Sequence, residues 1–163
     1  MRTLGQLLAT GALIAGIGCG NEGTGPGAEF PPLPQAILAS FCIRGDRTLG
    51  DSAASFLSAA DCSDNNSYYE IWRVRVPQDR DVIFDARSGF DNRLDVIRLD
   101  SLEADTIHFT PVGFSDDRGL CSNLNDPGCN ALVTISLTAN ADYLAVVQGR
   151  DFLQIGYYLL ELR

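Results

Sequence analysis

Five cysteines (Cys19, Cys42, Cys62, Cys121 and Cys129) and one histidine, His108, carry the most distinctive chemistry in this chain. A thiolate or an imidazole can serve as nucleophile, base or metal ligand, but the spacing here narrows those uses. No C-x-x-C pair occurs, and one histidine cannot build a multi-His site, so zinc is not expected. No G-x-S-x-G elbow is present. His108 lies in Thr106-Ile107-His108-Phe109, which reads as a strand, so an ordinary strand histidine is the expectation. A hydrolase assembled from distant residues is the alternative. All twelve cations are arginine; the absence of lysine removes Walker-type phosphate binding and Schiff-base chemistry.

Of the 21 acidic residues most are aspartate, and the net charge of −9 argues against nucleic acid as a partner. Carboxylate pairs for glycoside hydrolysis can be drawn from so many aspartates that the pairing carries no information without geometry. The acids cluster in three places: Asp61 and Asp64 with Asn65 and Asn66, Asp91 with Asn92, and Asp116 and Asp117 with Asp126. Loops meeting at one end of a sandwich could supply the roughly six to eight oxygens that calcium takes. Asp61, Asp64, Asp91, Asp116 and Asp117 are the calcium candidates on that reading. None of these loops has the EF-hand pattern, and Asp and Asn form turns through bonds to their own backbone. Turn formation with no cofactor is the expectation. Among the aromatics Tyr68, Tyr69, Trp72, Phe90, Tyr157 and Tyr158 could stack on a glycan. Trp72 and Tyr158 fall on inward strand positions, which leaves Tyr68 and Tyr69, just after an Asn-Asn-Ser turn, as the ligand-binding candidates.

These residues need elements to position them. Residues 1–18 read as an export signal: Arg2 is the charged start, and Leu7 to Ile17 is an apolar run shorter than the roughly 20 residues of a membrane span. The run ends in Gly16-Ile17-Gly18-Cys19, which resembles the lipobox of bacterial lipoproteins. That resemblance implies that Cys19 becomes the lipidated N-terminus. Gly16 stands where the lipobox has Leu, and plain cleavage without lipid is the alternative. Residues 19–34 are rich in Gly and Pro and form the expected disordered tether. Gly20 after the Cys favours an outer-membrane destination by analogy with lipoproteins, with the domain in the periplasm or at the cell surface. Export to an oxidising compartment makes the other four cysteines disulfide formers. Three pairings are open, and loop-closure entropy favours Cys42–Cys62 and Cys121–Cys129.

From residue 35 to 163 the hydrophobic period is two. Trp72, Val74 and Val76; Val82, Phe84 and Ala86; Leu94 to Leu99; Val133, Ile135 and Leu137; Tyr143, Ala145 and Val147; and Tyr158, Leu160 and Leu162 each set an apolar face against a polar one. Gly, Asp and Asn turns separate them, which predicts an all-β, antiparallel sandwich. The stretch from Ala53 to Ala60 is read as one or two helical turns.

In these runs Glu70-Ile71-Trp72-Arg73-Val74-Arg75-Val76-Pro77 resembles the D-x-Y-x-F-x-V-P strand of the bacterial pre-peptidase C-terminal domain family. Val82-Ile83-Phe84, Ser88 and Phe90-Asp91-Asn92-Arg93-Leu94 are similar to its following stretch, and Ser115-Asp116-Asp117 to its acidic turn. Ala141 to Val147 and Gly156-Tyr157-Tyr158-Leu159-Leu160-Glu161-Leu162 resemble its last two strands. Glu70 and Trp72 replace the family's Asp and Tyr, and Ala141-Asp142 stand in place of its Gly. The resemblance implies a jelly-roll-like β-sandwich, usually non-catalytic and outside the cytoplasm. The expected function is therefore that of a binding or interaction module at the cell envelope. The alternatives are an accessory subunit of a membrane complex, with an apolar patch or free strand edge near Gly149 to Gly156, or a glycan- or calcium-binding module. A glycan binder should show coplanar aromatics on one exposed face.

Overall fold

The computed structural model describes residues 31–33, 41–64, 67–103, 106–116, 130–150 and 154–163. Cys19, Asn65, Asn66, Asp117, Cys121, Asp126 and Cys129 lie outside the described residues, and so does the second expected disulfide. Ten strands are described: β1 (Ile43–Arg47), β2 (Ser52–Leu57), β3 (Cys62–Ser63), β4 (Tyr68–Val74), β5 (Arg80–Ser88), β6 (Asn92–Glu103), β7 (Thr106–Asp116), β8 (Asn130–Leu137), β9 (Asp142–Gly149) and β10 (Gly156–Leu162). They form a six-stranded sheet in the order β1-β4-β9-β6-β7, with β3 on β4, and a four-stranded sheet in the order β2-β10-β5-β8. The chain is thus an all-β sandwich of jelly-roll type. The pairing of β1 with β4 is parallel, and the other pairings are antiparallel.

The period-two runs do what their pattern dictates, since alternate side chains of a strand face opposite ways. Trp72, Val74, Val82, Phe84, Leu94, Val96, Tyr143, Val147, Leu160 and Leu162 all meet in one buried core. Ala53 and Leu57 join them from β2, so this stretch is a strand and not the helix read from its alanines. Pairing with β10 (Tyr157 opposite Phe56, Leu160 opposite Ala53) overrides the modest helix preference of Ala. On the other side of the sandwich β7 approaches β8 so closely that a Cβ on Gly113 would collide with the Ile135 side chain. Any larger side chain there would push the Ile135 side chain aside.

One crossing between the sheets is locked by side chains. Between β5 and β6 the buried Asn92 donates through Nδ2 to Ser88 Oγ (2.7 Å) and to the Ala86 carbonyl (3.3 Å), while Ser88 Oγ donates to the Phe90 carbonyl. A chain that leaves one ladder for another strands its backbone groups, and these bonds satisfy them. The Ser-x-Phe-Asp-Asn stretch is therefore a structural corner. Cys42–Cys62 is a disulfide that fastens the start of β1 to β3, with Cα atoms 5.8 Å apart. Cys42 itself is held in a left-handed conformation (φ 46°), which non-glycine residues seldom adopt.

Candidate functional site

The register gathers the described acidic loop residues singled out in the sequence at one end of the sandwich. Cys62 lies opposite Tyr69, Tyr69 opposite Gln148, Gln148 opposite Arg93, and Arg93 opposite Asp116, a row that crosses the six-stranded sheet. Asp61, Asp64, Asp91 and Asp116 all sit at this end. Their bonds differ. Asp61 Oδ2 accepts from the backbone N–H (2.6 Å) and hydroxyl (2.9 Å) of Ser58, and the carboxylate pairs with Arg44. Asp64 Oδ1 closes the same kind of turn with Ser67, accepting from its N–H (2.8 Å) and hydroxyl (3.2 Å). Both aspartates thus act as turn formers. Asp116 Oδ2 pairs with Arg150 Nη1 at 3.4 Å, and the Arg150 N–H donates to the Asp91 carbonyl at 2.9 Å. Asp91 Oδ1, Asp116 Oδ1 and Asn130 Oδ1 are buried oxygens with no hydrogen-bond partner among the described residues. Among the described residues no three His, Cys, Asp or Glu side chains are grouped so as to hold a metal ion.

Tyr68 and Tyr69 are half-buried, Tyr68 packing against the core. His108 is exposed near the other end of the six-stranded sheet, opposite Ser101. The neighbouring carboxylate, Asp100, accepts from Thr110 Oγ1 (2.6 Å) and Arg98 Nε (2.7 Å). Those two hydrogen bonds, Thr110 first, hold its pKa below the ordinary aspartate value. The strands place His108 far from the Asp91 and Asp116 loops.

Inside the core lies a charged residue that sequence reading missed. Glu70 is 1% exposed, on the same inward row as Trp72 and Val74. Its Oε2 accepts from Tyr158 Oη at 2.5 Å and its Oε1 from Arg44 Nε at 2.8 Å; Tyr158 Oη accepts in turn from Trp72 Nε1 at 2.8 Å. Arg44 continues the chain to Asp61, beside the disulfide. Burial first, then the hydrogen bond and charge of Glu70, drive the Tyr158 phenol pKa far above its usual value. A buried carboxylate needs such partners. The two motif strands that carry the family resemblance, β4 and β10, are therefore joined through this network.

The open surface lies elsewhere. On the outer face of the four-stranded sheet Phe56 and Tyr157 stand opposite each other, ring centroids 4.7 Å apart and planes at 74°. They are 42% and 67% exposed, and Ile155, 53% exposed, is close by in sequence just ahead of β10. Tyr157 was one of the aromatics noted in the sequence. Ile155 falls in the Gly149 to Gly156 stretch where an apolar patch was expected, whereas Phe56 was not noted, because nothing local marks a residue as outward until its strand has a partner.

The class that fold and surface define is an all-β, two-sheet sandwich. No protein-family model matches the sequence, and no curated protein matches it. Among solved structures, the chain is similar in fold to the pre-peptidase C-terminal domain of a collagenase from Bacillus anthracis (TM-score 0.49, 10% identity, covering 74% of this chain and 96% of that one). It is likewise similar to CorA, a surface-associated copper-binding protein important in copper acquisition by Methylomicrobium album BG8 (TM-score 0.49, 10% identity, 76% and 99% covered).

Proposed function

We propose that this chain is a non-catalytic interaction module of the bacterial cell envelope, exported and lipid-anchored through Cys19, whose partner is another envelope protein. The observation that carries this reading is the exposed apolar surface of Phe56, Ile155 and Tyr157. Large apolar side chains exposed close together favour a partner that covers them. The surface borders β2, an edge strand without a charged residue, the kind of edge that accepts a partner strand. A protein presenting an apolar, uncharged segment fits it better than a glycan, because rings at 74° do not form a flat stacking platform. The disulfide Cys42–Cys62 supports export. The test is a photo-crosslinking residue in place of Tyr157 in cells. One envelope protein should be trapped, and Ile155→Asn with Phe56→Ser should abolish the adduct while leaving the fold intact. Retention on a glycan matrix with no protein adduct would refute the reading. Intact mass of the membrane form tests lipid on Cys19.

A second reading, calcium at the loop end, is favoured by the buried oxygens of Asp91, Asp116 and Asn130 that have no hydrogen-bond partner among the described residues. Chelator should then lower the melting temperature by several degrees, whereas an unchanged transition would dispose of calcium.

A further inference from the structure

Arg73 faces outward on β4, yet it is 3% exposed. Its Nε and Nη2 donate to the two carboxylate oxygens of Asp46, each at 2.8 Å, and its Nη1 donates to the carbonyl of Pro31 at 2.8 Å. Asp46 is the register partner of Arg73 on the edge strand β1. A guanidinium has five donors in a fixed fork, and burying it is tolerable only when those donors are used. Here one of them is used by the Pro-rich linker. Pro32 and Leu33 run on from this bond and, with Ile43 and Gly45, wall a groove of about 390 Å³. Consecutive prolines are stiff before they bind, so fastening Pro31-Pro32 costs little conformational entropy.

We propose that Arg73 and Asp46 form a clasp that fastens the linker to the outer face of the six-stranded sheet, so that the domain is tethered from that face and carries its Phe56–Ile155–Tyr157 surface on the opposite one. The clasp stands on the contacts above, and its bearing on membrane orientation rests on the reading of Cys19 as the anchor. From Cys19 to Pro31 the chain can span at most ~40 Å. The clasp therefore keeps the domain close to the bilayer with the six-stranded sheet nearer to it.

Nuclear magnetic relaxation on the whole exported chain carrying Cys19→Ser tests the clasp without any membrane. The Leu33 amide should be as rigid as a strand, with an order parameter of about 0.85, and should fall below about 0.6 in both Arg73→Ala and Asp46→Ala. The single tryptophan reports folding, because the Trp72 indole proton should keep its shift in both variants. Asp46 is the more exposed partner, so Asp46→Ala decides the matter if Arg73→Ala unfolds. A mobile Leu33 in the unsubstituted chain, or one that stays rigid in both variants, overturns the clasp. The processed chain is then bound to vesicles that carry gadolinium on a headgroup lipid. Faster relaxation of Leu33 and β1 than of Phe56 and Tyr157 is expected, and the reverse order overturns the orientation. Failure to bind vesicles refutes the anchor, and with it the orientation, while the clasp result stands.

Discussion

Replacing Tyr158 by Phe removes one oxygen and leaves the ring in the core, which isolates the role of the buried network. That oxygen donates to the Glu70 carboxylate at 2.5 Å and accepts from Trp72 Nε1 at 2.8 Å. A hydrogen bond to a charged group contributes about 1.5–3 kcal/mol, and an indole N–H left buried without an acceptor costs about 1–3 kcal/mol. Both losses arise at the same atom and do not add independently, so the expected destabilisation is about 3 kcal/mol. For a domain of this size that corresponds to a fall of about 10 °C in melting temperature. Urea unfolding followed by circular dichroism measures it, with Trp72 fluorescence as a second probe. The adjacent residue is the control. Tyr157 is 67% exposed, and Tyr157→Phe should stay within about 0.5 kcal/mol of the parent. A loss below about 1 kcal/mol for Tyr158→Phe, or equal losses for the two neighbours, would refute the network as a structural bond between the sheets.

Three further outcomes follow from the same contacts. Because burial and Glu70 raise the Tyr158 pKa in the folded state, its contribution is fully present below the unfolded phenol value of about 10 and declines as pH rises beyond it. Urea midpoints should therefore drop between about pH 9 and about pH 11, less steeply in Tyr158→Phe. Substituting both Cys42 and Cys62 by Ser opens a bridge with a sequence separation of 20 and should cost about 3 kcal/mol, read as a lower urea midpoint; an unchanged midpoint would show that β1 is held without it. Gly113→Val should destabilise by about 1–3 kcal/mol by driving β7 off Ile135, and adding Ile135→Ala should restore part of the loss in thermal melts.

Some of this molecule is legible residue by residue. Val82-Phe84-Ala86 and Tyr143-Ala145-Val147 face the core as their alternation requires, and Asp61 and Asp64 close turns over Ser58 and Ser67 within three residues, so their role is readable from a short window. Proximity also selected Cys42–Cys62 correctly, since a short loop closes at low entropic cost. Other features escaped. Ser52–Leu57 carries alanines and serines with weak preferences, and it becomes a strand because β10 offers it a ladder. Glu70 shares the inward parity of Trp72 and Val74, but its partners are not legible in a short window, because Tyr158 and Arg44 reach it from 88 and 26 residues away.

The same division applies to the surfaces. The acidic clusters are contiguous in the chain, but which of their oxygens are already bonded depends on Arg44 and Arg150 arriving from other strands. The pairing of Phe56 with Tyr157 and the grip of Arg73 on Pro31 join residues distant in the chain. Strand period is a property of the local pleat and is written in consecutive side chains. Partnership across sheets depends on the whole set of pairings, in which each contact becomes favourable only once the others have brought the strands together.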